Sequence, residues 1–439
     1  MLALSSMKMR KRLFFTGLII MTLFLIGIIT HGNTVTRLDG ISSNLNPLIR
    51  HFSPTWRSLK KITDFPYLVR VSFRKSTLPI YKITLTQNDR LNLINNLPNY
   101  PEENRLYEEF KKTVKAEFRH GTYTTANAKI RYRGNSPNHW NALKKSWHVQ
   151  LPIDAQLDGR RVFRFFIGED KGWIKAMLWN HLGNKHDVLT LQAEPVRLYV
   201  NKKDMGVYIL IEGWEELDGR VFSVKNIKGA KDRLTTEAAG QWYDRDEPER
   251  SGETYPELMK LLALTAKSTK QEFEKEIGTI LDTDVFLRWT LLSVLSGNFH
   301  QGNYDNLNFF YNEESEKFEP VFFDAHLTAM NGAIDLTEHR IVNRLIASEA
   351  FRERFEDLAR SYVLDIKNLE DDLAFYDEMT EIILPEIYSD TSKIQTSFEA
   401  QKQVREDREI YKHNFLTLQS MLKENNALIY KYADEMYPL

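Results

Sequence analysis

The sequence predicts an α+β protein, with a strand-rich first part, a helical second part and one apolar helix ahead of both. Three observations carry this. Residues 13–30 form an uncharged apolar run, period-two alternation recurs between about 67 and 212, and apolar spacings of three and four dominate beyond about 255. The chain has 439 residues, 42% of them hydrophobic, which is enough to bury a large core. Formal charge is −1, so no global basic field points to nucleic acid. The absence of cysteine excludes disulfide scaffolds, thiol nucleophiles and thiolate metal sites.

The run LFFTGLIIMTLFLIGIIT over 13–30 is about 27 Å long as a helix, close to the thickness of a bilayer's hydrocarbon core. Lys8, Arg10, Lys11 and Arg12 precede it, and no comparable cluster follows. The charge asymmetry predicts a short cytoplasmic tail (1–12), a single-pass anchor (13–30) and a main domain on the non-cytoplasmic side. A cleaved signal peptide is the competing reading, but HGNTVT offers no small-x-small cleavage site. Residues 31–65 read as a linker.

From Tyr67, LVRVSFR and IYKITLT alternate around KSTLP and predict a hairpin. QNDRLNLINNL and EENRLYEEFKKTVKA are expected to be helical. AKIRYRG, KKSWHVQL, PVRLYV and GVYILIE read as half-buried strands, the last two joined by NKKDMG. In AKIRYRG, Ala128, Ile130 and Tyr132 take one face, and Lys129, Arg131 and Arg133 the other. TDVFLRWTLLSVLSG predicts a helix with Thr283 as N-cap and Gly297 as C-cap. The stretch HRIVNRLIASEAFRERFEDLARSYVL and the residues from about 397 to 432 predict further helices, while the charged segment 243–257 reads as a solvated loop.

Gly-x-Ser-x-Gly, His-Glu-x-x-His, Gly-x-Gly-x-x-Gly and Walker A patterns are absent. A polar cluster stands out instead. NFFY and FEPVFF form a predicted hairpin whose ends bring Asn308 and Asp324 together, a hard-oxygen pair suited to magnesium, with Asp305 in reach as a third group. Asn/Asp-rich turns also commonly satisfy only their own backbone. Upstream, Arg133 ends one strand, and Lys144 and Lys145 open the next. These cations could hold phosphate oxygens, or could snorkel at a solvated hairpin end. Glu212, closing GVYILIE, is placed either to pair with Lys145 or to open the following loop. His326, near Asp324, reads as a wall residue rather than a ligand.

These residues resemble one family. RYRGNSPNHWNALKKSWHVQL, PVRLYVNKKDMGVYILIEGWEE, DTDVFLRWTLLSVLSGNFHQGNYDNLNFFY with KFEPVFFDAH, and VNRLIASEAFRERFEDLA are similar, in order, to segments of the CotH (spore coat protein H-like) kinases. The strand-rich and helical patterns predict two lobes (66–230 and 231–439), and the resemblance implies that 66–439 form a compact, atypical protein-kinase-like fold. It further implies ATP and Mg2+ as cofactors and a protein substrate with serine or threonine hydroxyls. By position, Asp305 would accept the substrate proton, Asn308 and Asp324 would hold the metal, and Arg133 and Lys145 would contact phosphates, with Glu212 as partner of the lysine. His300 stands where many members carry aspartate after the first Gly-Asn, so it is the substitute for Asp305. Asn201-Lys202 replaces the usual Asn-Gly turn, and Phe323 replaces a tryptophan. Two alternatives follow: an inactive pseudokinase serving as a binding module at the cell surface, and a metal-dependent enzyme of cell-envelope polymers with Trp140 and Trp147 stacking on sugars.

Overall fold

A computed structural model describes residues 63–432 except 101, 143, 226–231, 303–305 and 424–427. The predicted tail, the apolar run 13–30, most of the linker and Asp305 lie outside the described residues. Among the described helices none is long and apolar enough to cross a membrane.

Seven strands form a closed barrel: β1 (Ile80–Thr84), β2 (Val114–His120), β3 (Tyr123–Tyr132), β4 (Trp147–Gln150), β5 (Val162–Ile167), β6 (Ala193–Val200) and β7 (Lys203–Ile211). Their order is β1-β2-β3-β4-β5-β7-β6, and a parallel pairing of β1 with β6 closes the ring. Alternation explains the closure, because one face of every strand is apolar and points inward. Ala128, Ile130 and Tyr132 of β3 are buried in the interior with Trp147, Val149, Phe163 and Phe165. Phe118 packs 5.2 Å from Phe163, and Tyr132 packs 4.7 Å from Trp147, measured between ring centroids. The opposite faces of β3, β4 and β5 carry Arg131, His148 and Arg164, which stand in one transverse row by strand register.

A second sheet runs β11-β10-β8-β9, with β8 (Arg220–Val224), β9 (Trp242–Asp244), β10 (Asn308–Asn312) and β11 (Lys317–Pro320). It draws strands from both sides of residue 230. The β10–β11 pairing is the antiparallel hairpin expected from NFFY and FEPVFF. The helices Thr283–Ser296, Arg340–Ala347, Glu349–Val363, Ile366–Ser389 and Ser397–Lys423 share a larger apolar core with this sheet. Thr283–Ser296 lies at its centre, buried on nearly every side from Val285 onward.

Several local expectations need correction. Residues 68–74 do not pair with β1, because Phe65–Val71 is a helix with Pro66 in its first turn, where a missing N–H costs nothing. EENRLYEEFKKTVKA is not one helix: only Glu108–Phe110 turns, and Val114, Ala116 and Phe118 then alternate inward as β2. The N-cap of Thr283–Ser296 is Asp282, whose carboxylate accepts from the N–H groups of Asp284 and Val285 at 3.1 and 3.0 Å. Gly297 does end that helix, at φ 76°, with a Cβ position only 1.8 Å from the Thr328 carbonyl oxygen. Asn201 and Lys202 both take positive φ (49° and 66°), a turn that tightly joins β6 to β7, and the Asn201 side chain bonds both backbone groups of Leu85. Trp140 and Trp147 are 0% and 4% exposed, so neither offers a stacking platform for sugars.

Candidate functional site

The outer faces of β3, β4 and β5 form one wall of a cleft of about 700 Å³, and the loops around β10 and β11 form the other. Its volume falls in the range of small-molecule sites, roughly 300–1,000 Å³. Residues such as Leu191, Ile211, Trp214, Val224 and Phe322 supply apolar lining, and eight lysines and arginines outnumber five carboxylates around it.

The cations come from strand register. Arg131 and Arg164 flank His148 in register, so two guanidinium groups face the cleft from neighbouring positions on the barrel wall. Two carboxylates offset part of this charge. Arg164 forks onto Glu215 at 2.9 and 2.7 Å, and Glu108 lies nearby on the cleft wall. Burial, with the neighbouring arginines, pushes the His148 pKa well below the ordinary imidazole value, so the ring is neutral. Arg133 lies two residues further along the chain from Arg131, just past the end of β3, its guanidinium 3.8 Å from the Phe166 ring centroid. Its Nη1 is buried without a hydrogen-bond partner. Burial and then Arg164 and Arg131 disfavour its charge, against a weaker pull from Asp324. A buried guanidinium N–H with nothing to donate to is costly, and an anion in the cleft would satisfy it.

Opposite lies the polar cluster. Asp324 follows β11 in a left-handed conformation at φ 51° and pairs with the Lys171 ammonium through Oδ1. Its Oδ2 faces Asn306 Nδ2 at 3.4 Å and His300 Nε2 at 3.7 Å. Burial alone would raise the Asp324 pKa, but Lys171 and His300 outweigh it and hold the carboxyl far below its usual range. Asn308 sits at the start of β10, where its Oδ1 accepts from Ser223 Oγ at 2.5 Å and Arg245 Nη2 at 3.2 Å. Asn306 links the two candidate ligands, because its backbone oxygen accepts from Asn308 Nδ2 at 2.8 Å. The His300 and His326 rings lie 3.8 Å apart beside them.

The structure therefore brings Arg133, Asn308, Asp324 and His300 into one cleft. Lys145 does not join them. It lies on the Trp147 side of the strand, where its Nζ donates to the carbonyls of Trp140 and Ala142, and burial lowers its pKa to about 8. Glu212 lines the cleft but does not meet Lys145: it accepts from the Gln192 N–H at 3.1 Å and lies 3.7 Å from Arg160. Lys144 is fully buried against Asp390 at 2.6 Å. Asp305 lies outside the described residues.

Sequence pattern alone does not single out several cations of the cleft, Arg164, Lys171 and Arg245 among them. Lys171 belongs to the short turn Gly168–Gly172 after β5, and the apolar stretch VFRFFI before it, broken only by Arg164, is the available signal. Arg245 lies in the charged segment read as a solvated loop. The first residues of that segment pair as β9 with β8 and carry Arg245 against Ser223 and over the Trp214 ring at 4.6 Å.

Among the described residues no three His, Asp or Glu side chains converge in metal-binding geometry. Asn308 and Asp324 are hard oxygen donors of the kind that hold magnesium with one or two protein ligands, the remainder coming from phosphate and water. The donor chemistry fits the ion, although the oxygens already accept from Lys171, Ser223 and Arg245.

Comparison with curated proteins returned no match. Among solved structures, a Helicobacter pylori proinflammatory kinase, CtkA, is similar at 13% identity and a TM-score of 0.24, over 63% of this chain and 94% of that one. Similarity at that level carries no argument about the site. The family model described as CotH kinase protein matches residues 130–415, well over half the chain and all the cleft residues discussed from Arg131 to His326. The chain belongs to the CotH kinase family.

Proposed function

We propose that this protein is a membrane-anchored kinase that transfers the γ-phosphoryl group of ATP to serine or threonine hydroxyls of a protein, with magnesium, on the non-cytoplasmic side of the membrane. The observation that supports it most is the group of cations, with the unpartnered Arg133 N–H among them, facing the Asn308 and Asp324 oxygens across one cleft. Such a group matches a polyphosphate, and the oxygens match the ion that accompanies it. Bound magnesium would neutralise charge on the transferred phosphate. Arg133, with Arg131 and Arg164 behind it, would bind the phosphate oxygens and hold the chain of phosphates in line. Asn306 would keep Asp324 and Asn308 in register through its amide and carbonyl. Asp305 is the proposed acceptor of the hydroxyl proton, with the His300 ring as its substitute. The apolar run 13–30 is the proposed anchor.

Calorimetric titration of the full chain in detergent tests this reading. Magnesium-dependent ATP binding that D324A loses, together with phosphate transfer to protein hydroxyls, is the expected result. ATP binding without any transfer would favour the pseudokinase, a reading that the prior engagement of Asp324 by Lys171 and of Asn308 by Arg245 makes specific. Absence of ATP binding with and without magnesium would refute both.

A further inference from the structure

Lys171 has no part in the roles read from sequence, yet its ammonium occupies the most consequential position in the cleft. Its Nζ bonds Asp324 Oδ1 and also lies 2.9 Å from Asp170 Oδ2. It rests 4.5 Å from the centroid of the Phe166 ring, the same ring that carries the Arg133 guanidinium. Lys171 is 7% exposed and the Asp324 side chain 27%, so water screens the pair only in part.

The backbone that presents Lys171 is held from several directions. Trp173 N–H donates to the Gly168 carbonyl at 2.9 Å, and its fully buried indole donates to Gln395 at 3.1 Å. A Cβ on Gly168 would come within 2.3 Å of that indole. Glu169 Oε1 accepts from the Ile394 N–H at 2.8 Å. Asp170 is fixed independently, by Asn138 Nδ2 at 2.6 Å and His139 Nε2 at 3.4 Å. The turn is pinned, and the freedom left to Lys171 is the swing of its own alkyl chain. Asp170 gives the ammonium a second carboxylate to keep when it leaves the first.

We propose that Lys171 is a resident counter-cation of Asp324 that a divalent ion must displace, so that it sets the metal affinity of the site, and that the displaced ammonium stays on Asp170 and Phe166 beside Arg133, facing the phosphates. The inference rests on the reading of Asp324 as a metal ligand. Its physical basis is competition. Two cations cannot both take the same carboxylate oxygen, and in a partly desolvated cleft they repel each other at contact far more than in bulk water. Keeping Asp324 neutralised by a tethered lysine also spares the cleft a bare, half-buried carboxylate.

Manganese provides the probe, because the electron paramagnetic resonance of the free aquo ion reports binding without any turnover. The full chain in detergent would be titrated as wild type, K171M, K171R and D324N, with K171Q in reserve should K171M fail to fold. K171M should bind Mn2+ roughly tenfold more tightly than wild type or better. K171R, which keeps the competing charge, should stay near wild type, and D324N should lose the site. Equal or weaker binding by K171M, with D324N still losing it, overturns the role of Lys171 and leaves the metal assignment standing. Binding that D324N retains, or no binding by any variant, overturns the assignment of Asp324 and the inference with it.

Discussion

Replacing Asp390 by alanine would strand the Lys144 ammonium in the interior. That ammonium is 0% exposed and bonds Asp390 Oδ2 at 2.6 Å and the Val207 carbonyl at 2.7 Å, with Glu169 next at 3.8 Å. Asp390 itself also accepts N–H bonds from Val207, Ser392 and Lys393 at 3.0, 2.8 and 2.9 Å. It thereby ties the barrel strand β7 to the end of helix Ile366–Ser389. Removing one partner of a buried ion pair costs about 3–5 kcal/mol, because the other is left uncompensated. Unfolding entropy of about 2.1 cal/mol/K per residue, taken over residues 63–432, amounts to roughly 0.8 kcal/mol/K. D390A should therefore lower the Tm of the full chain by about 4–6 °C. K144M should cost about half as much, since Asp390 keeps its three N–H donors. Differential scanning calorimetry of the three proteins at one scan rate measures this. A D390A shift under about 1 °C, or a larger loss for K144M than for D390A, would refute the reasoning.

Other outcomes follow from the cleft and its surroundings. R133M should weaken ATP binding roughly tenfold or more while leaving Tm unchanged or slightly higher, since it removes an unpartnered buried N–H; calorimetric titration and a melt on the same sample check both halves. Asp407 is 8% exposed with no partner for Oδ2, and burial raises its pKa to about 6, against the pull of Lys175. An acid whose folded pKa lies above its unfolded value makes the fold bind more protons, so this contribution to stability falls as pH rises from about 4 to about 6. D407N should raise Tm by about 2–3 °C at pH 7.5, corresponding to about 2 kcal/mol, and give no gain at pH 4; melts at the two pH values measure it.

The legible parts of the fold were those whose periodicity had one structural meaning. The alternation of Ala128, Ile130 and Tyr132 specified an inward face whatever the sheet became, and it left Arg131 and Arg133 on the other side. NFFY and FEPVFF were close enough in sequence for a short turn to force the pairing that carries Asn308 toward Asp324. Where two periods fitted equally, the local reading failed. LVRVSFR alternates, yet Pro66 and packing of Tyr67 on Tyr388 at 4.9 Å make its first half helical. EENRLYEEFKKTVKA has helical composition, yet β1 and β3 recruit its end into the barrel.

Local pattern, with motifs in a fixed order, was enough for the family and for the residue types able to serve phosphate and magnesium, because neither depends on which distant segments meet. Tertiary structure alone decided which cations face the cleft. Lys144 and Lys145 are neighbours in the chain, but one enters a buried pair with Asp390 and the other bonds backbone carbonyls. Lys171 and Arg245, in turns without periodicity, meet Asp324 and Asn308 across separations of 153 and 63 residues. Contacts of that range follow from how the barrel closes and the second sheet packs, and no local pattern of a charged turn records them.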